Sequence, residues 1–126
     1  EFQTASPAET PFLMAQLIDN LAYRLEVADS DDDKLLAILD THIQFERIHP
    51  FSDGNGRTGR MTLNYSLLQQ GFPPLIIEKE TKAQYIEFLG NQDVDGFVQF
   101  AKALLGKEQK RMQAFRNMDQ ERIEFK

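Results

Sequence analysis

An all-α domain is what this sequence predicts, and three observations carry that expectation. Apolar residues recur three and four apart along most of the chain, the spacing of one helix face. Caps and breakers stand where helices would begin and end. No two strand signals alternate with helices, so no βαβ unit is expected. The chain has 126 residues, which is one domain with a modest core.

In chain order, Thr10-Pro11 reads as an N-cap followed by proline at the first helical position. Phe12, Leu13, Leu17, Ile18, Leu21 and Leu25 give this helix its apolar side. Asp31, Asp32 and Asp33 open a second helix, because carboxylates suit the positive end of the helix dipole. That acidic run lacks the spaced ligands of a calcium loop. Leu35, Leu36, Leu39, Ile43 and Phe45 are its apolar residues, and Pro50 ends it. A third helix starts within a glycine-rich loop and runs to Gln70, with Met61, Leu63, Leu67 and Leu68 inward and Gly71 as the C′ residue. Pro73-Pro74 forces an extended connector whose Leu75-Ile76-Ile77 is expected to be buried. A fourth helix covers Lys82 to Leu89. A fifth starts near Asp93 and carries Val94, Phe97, Val98, Ala101, Leu104 and Leu105. Residues 106–126 read as a further helix, with Met112, Phe115 and Met118 packed on the core as a thin stripe.

Composition narrows the function. A net charge of −6 argues against a general nucleic-acid surface, which needs basic groups. No apolar run reaches the ~18 residues of a membrane span, and the N-terminus lacks the pattern of a signal peptide. With no cysteine there is no disulfide framework and no thiolate metal site. These features lead us to expect a cytoplasmic protein, or one delivered into a host cell's cytoplasm.

The chemistry concentrates in HPFSDGNGRTGR, residues 49–60. Gly54 to Gly59 fits the G-x-G-x-x-G dinucleotide pattern, but a helix-like segment precedes it where a strand is required. A P-loop is excluded because Arg60 and Met61 replace its lysine and hydroxyl residue. A plain glycine turn would leave the histidine, the carboxylate, the asparagine and both arginines unexplained. A loop entering a helix exposes free N–H groups that bind anions. Gly54 and Gly56 let backbone approach phosphate, and Arg57 and Arg60, three apart, point to one side. Asp53 is a lone carboxylate, enough for magnesium that is also held by phosphate. Asn55 can donate to an α-phosphate oxygen. His49, at the helix exit, is suited to take a proton from an incoming hydroxyl. His42, seven residues earlier, lies roughly 10.5 Å away along a helix, too far for a shared metal. We read it as an ordinary histidine that could support the motif.

Residues 49–60 closely resemble the Fic family motif, H-P-F-x-[DE]-G-N-[GK]-R-x-x-R, and match it at His49, Pro50, Phe51, Asp53, Gly54, Asn55, Gly56, Arg57 and Arg60. Ile48, the helix MTLNYSLLQQGFPPLII, and KAQYIEFL followed by DVDGFVQF are similar too. The likeness covers residues 10 to 105 and weakens at both ends. It implies a compact all-α domain with the motif loop between two central helices, flanked by a flap remnant over 1–9 and a C-terminal helix over 106–126. It also implies AMP transfer from ATP to a Tyr, Thr or Ser hydroxyl of a target protein. His49 would be the general base and Asp53 the Mg2+ ligand. Gly54, Asn55, Gly56, Arg57, Thr58, Gly59 and Arg60 would line the phosphates, and Tyr85 and Asn91 would touch adenine, with core packing the alternative for Tyr85. Glycine at 56 favours AMP over phosphate, since phosphorylating relatives carry lysine there. UMP or phosphocholine transfer, deAMPylation and a nucleotide-binding module without turnover are the alternatives. The inhibitory pattern [ST]-x-x-x-E-[GN] is absent from this sequence. The glutamate that would meet Arg60 is therefore expected from a missing N-terminal segment or a separate partner.

Overall fold

A computed structural model describes residues 6–51 and 53–124. It contains five helices, α1 (Thr10–Val27), α2 (Asp31–Ile48), α3 (Asn55–Gln69), α4 (Lys82–Asn91) and α5 (Val94–Glu124). No strand occurs among the described residues, so the all-α expectation holds. No helix of the described residues is long and apolar enough to cross a membrane.

Helix α2 is the axis of the domain, packing against α1, α3 and α5. Ser30 caps it by accepting from the Asp33 N–H at 3.1 Å, and Asp31, Asp32 and Asp33 fill its first turn as helix-dipole partners. Leu35, Ile38, Leu39 and Ile43 of α2 meet Leu63 and Leu67 of α3, Tyr85 and Leu89 of α4, and Phe97, Val98, Ala101 and Leu105 of α5. Burying such a set supplies the main force for folding, at about 25 cal/mol per Å².

Helix α1 lies outside this core. None of its residues is fully buried; Leu21 and Leu25 rest on the cluster, and Arg24 meets Asp40 of α2 at 2.8 Å. Thr10 is not its cap. Residues 7–9 already form a turn, Glu9 stands at the cap position, and the Thr10 hydroxyl donates back to the Ser6 carbonyl. Of the expected flap remnant, residues 1–5 fall outside the described residues.

Helix α3 ends as anticipated. Gly71 adopts φ 86°, and the Phe72 N–H returns to the Leu67 carbonyl at 2.9 Å. Two of its expected core residues, Met61 and Leu68, instead face solvent; only Leu63 and Leu67 are buried. In the connector Leu75 is buried and Ile76 is exposed. The Asn64 side chain clasps Leu75 there, accepting from its N–H at 2.7 Å and donating to its carbonyl at 3.3 Å. That pairing satisfies backbone groups that no sheet serves.

The C-terminal reading needs correction. Helix α5 runs unbroken through Gly106, so residues 106–124 continue it rather than forming a separate helix. Met112, Phe115 and Met118 are exposed, because no other described element reaches the far half of α5.

Candidate active site

The motif occupies the joint between α2 and α3. Helix α2 cannot continue past Ile48, because Pro50 disfavours helical backbone at residue 49. His49 resolves the conflict by turning left-handed, at φ 53° and ψ 61°, while its N–H still donates to the Phe45 carbonyl at 3.0 Å. Few residues other than glycine adopt this conformation, and such strain gathers at functional positions. The result is an imidazole on an exposed residue at the end of a rigid helix.

Helix α3 begins at once on the other side. Gly54 also turns left-handed, at φ 76°, as the N-cap. The Thr58 N–H closes the first helical bond to the Gly54 carbonyl at 3.0 Å. The amides of Asn55, Gly56 and Arg57 precede that bond and have no partner within the helix. The arginines fold back over this end, as helix side chains do. A Cβ on Gly54 would stand 2.9 Å from Arg57 Nη2, and one on Gly56 would stand 3.2 Å from Arg60 Nη1. Each glycine therefore makes room for a guanidinium. Three amides, two guanidiniums and the helix dipole converge on one anion-binding surface. Exposed Asp53 borders it.

Three expected phosphate contacts change role. Asn55 is 4% exposed, and its side chain clasps Phe51, accepting from the Phe51 N–H at 2.9 Å and donating to the Phe51 carbonyl at 2.7 Å. Its amide group shapes the loop, which leaves the Asn55 backbone N–H for the cradle. The Thr58 amide is taken by the helix. Gly59 is buried against α2, where a Cβ would collide with Glu46 Oε1 and press on Phe45. It is a packing residue, and α3 could not lie so close to α2 with a larger one.

The expected adenine contacts separate. Tyr85 is 2% exposed, with its hydroxyl 2.6 Å from His42 Nε2. Its ring packs among those of His42 and Phe97. It has no face to offer a base, and of the two readings weighed for it, core packing is the one that stands. Asn91 is exposed at the end of α4, and no hydrogen bond among the described residues joins it to the motif.

Beneath the cradle lies a polar group that sequence reasoning only half found. His42 is buried and its pKa is lowered from the ordinary 6.5 to about 4, by burial first and then by the Arg60 charge, with the Gly59 backbone opposing. Glu46, one helical turn on, is 9% exposed, and its Oε1 has no hydrogen-bond partner among the described residues. Burial raises its pKa, and Arg60 partly offsets that. Tyr85 is pushed up to about 12 by burial and by the Glu46 charge, against Arg60 acting as donor and as cation. The signal for Glu46 was present in the spacing: Leu35, Leu39, His42 and Glu46 form one inward stripe of α2.

Fold and site together define a helical domain that holds an anion at a helix N-terminus beside an exposed histidine. The description of the Fic/DOC family matches residues 1–67, and the chain belongs to that family. The fold resembles the crystal structure of a Fic domain containing signaling protein from Bacteroides thetaiotaomicron VPI-5482, with a TM-score of 0.73 and 29% identity, over 82% of this chain and 44% of that one. "Protein adenylyltransferase Fic" of Drosophila grimshawi is 45% identical over 62 residues, 47% of this chain and 13% of the relative. "Protein adenylyltransferase fic-1" of Caenorhabditis elegans is 35% identical over 80 residues, 64% of this chain and 16% of the relative. The chain thus spans a small fraction of the length of these curated relatives.

Proposed function

We propose that this chain is the transfer domain of a protein adenylyltransferase, moving AMP from ATP to a Tyr, Thr or Ser hydroxyl of a target protein. One observation carries the reading. A histidine in left-handed backbone at the end of α2 stands beside the N-terminus of α3, over which two guanidiniums fold. The names of the two relatives support it.

A triphosphate is a chain of anions, and the cradle matches it. The amides of Asn55, Gly56 and Arg57 would take the α-phosphate, and Arg57 and Arg60 the β- and γ-phosphates. His49 would accept the proton of the target hydroxyl as its oxygen bonds to the α-phosphorus. The bond from that phosphorus to the bridging oxygen breaks, and pyrophosphate leaves. No group of three or more potential ligands exists among the described residues to cage a metal. A lone carboxylate beside bound phosphates suits magnesium, which usually relies on substrate oxygens. Magnesium held by Asp53 would supply charge neutralisation at the α- and β-phosphates. Glycine at 56 fits AMP transfer, since a side chain there would crowd Arg60. A domain without cysteine that consumes ATP suits the cytoplasm.

Incubation with α-labelled ATP, magnesium and a cell lysate tests the reading. We expect label on a target protein or on the chain itself, and at least ~100-fold less with His49→Ala. Equal labelling by that variant would refute the general base. Label from γ-labelled ATP alone would mean phosphate transfer instead.

A further inference from the structure

Arg60 is the one cradle residue whose charge acts on the buried group below it, since it shifts His42, Glu46 and Tyr85 alike. Its guanidinium lies against Gly56 and reaches the Tyr85 hydroxyl as a donor. A guanidinium can only donate, so the Tyr85 oxygen accepts from it. The single hydrogen of Tyr85 is then free for His42 Nε2, 2.6 Å away. His42 must in turn be neutral, with its own proton on Nδ1. That nitrogen makes no well-formed hydrogen bond, but the Gly59 backbone beside it favours a proton there. Every donor and acceptor in the line has one consistent assignment. The line runs from α2 through α4 to the first turns of α3, and its outer end is a residue of the phosphate cradle.

We infer that Tyr85, oriented by neutral His42, is a positioning residue that sets where the Arg60 guanidinium meets the phosphates of a bound nucleotide. The geometry is rigid where it needs to be. Tyr85 is clamped among His42 and Phe97, so its hydroxyl is a fixed point. Arg60 is a long, half-exposed side chain, and without that point it would sample several rotamers before meeting an anion. Glu46 adds a buried negative charge on the same side. The role of Tyr85 is therefore exerted through Arg60, and it touches no substrate.

This inference rests on the nucleotide reading above, and a double-mutant cycle separates the two. ATP with magnesium is titrated by calorimetry into wild type, Tyr85→Phe, Arg60→Ala and the double variant. Tyr85→Phe keeps the ring and removes only the hydroxyl. We expect it to weaken ATP binding roughly tenfold in the wild-type background and less than about twofold in the Arg60→Ala background. Equal loss in both backgrounds, or no loss in either, overturns the inference. His42→Gln retains an acceptor for the Tyr85 hydrogen and should keep near-normal affinity. If Tyr85→Phe melts below the assay temperature, His42→Leu, which leaves that hydrogen without an acceptor, carries the same cycle. If wild type fails to bind ATP, the nucleotide reading falls, and NMR of the Arg60 guanidinium decides the positioning alone. A slowly exchanging guanidinium signal lost in Tyr85→Phe upholds it; a signal unchanged in Tyr85→Phe overturns it.

Discussion

The two histidines of this chain stand seven residues apart at one end of one helix, and almost everything else about them differs. His42 is 3% exposed, bound to Tyr85 and held neutral by burial. His49 is exposed, in left-handed backbone, at the joint where α2 gives way to the motif loop. Around His42 the polar side chains are enclosed by core, and this is the floor of the site. Around His49 they face solvent, and this is its mouth. The difference teaches that a helix can carry the same residue type in two roles, set by where the backbone stops. One more turn of α2 would have directed His49 elsewhere, and Pro50 prevents it.

The comparison predicts that acid attacks the floor. The folded pKa of His42 lies below its ordinary 6.5, at about 4, so its contribution is complete above pH 6.5 and is lost as pH falls toward 4. The amount is on the order of 3 kcal/mol. Glu46 acts in the opposite sense, since its folded pKa is raised above 4.5 and its contribution declines as pH rises from there. Urea melts of wild type and His42→Gln across pH 4 to 7 isolate the histidine. We expect the difference between them to shrink as the solution is acidified; a constant difference would break the distinction drawn here.

Asn55 joins floor to mouth, and its clasp on Phe51 sharpens the comparison when set beside the clasp of Asn64 on Leu75. Either alanine variant should cost about 1–3 kcal/mol, from two lost hydrogen bonds to backbone. Only Asn55→Ala should also weaken ATP binding, because only its loop leads into the cradle. Equal effects on binding would show that the loop needs no clasp.

The smallest effect belongs to the mouth. Asp53→Asn and Arg57→Ala alter exposed residues and should leave folding stability within about 0.5 kcal/mol. Thermal melts check this, and a large loss from either would place that residue among the structural ones.

Much of this was legible in the sequence. Ser30 and the three aspartates, Pro50 and Gly71 mark boundaries through local backbone chemistry, and local chemistry is what a sequence displays directly. The glycine-rich cradle was legible for the same reason, since free amides and φ preferences belong to neighbouring residues. The misreadings all involve distant neighbours. Met112, Phe115 and Met118 have helical spacing, but spacing does not say whether anything lies opposite. Gly59 looked like part of the phosphate loop, and only the approach of Glu46 and Phe45 from α2 shows why it must be glycine. Tyr85 carried a choice between base contact and core that pairing with His42 decides.

The account centres on the N-terminus of α3 as the seat of the nucleotide's phosphates, and backbone amide NMR tests that most directly. ATP with magnesium is added to labelled protein while the amide resonances are followed. The prediction is that Asn55, Gly56 and Arg57 shift most, and that Arg60→Ala weakens the response without moving it. Shifts centred elsewhere, or none at these three amides at saturating ATP, would contradict it.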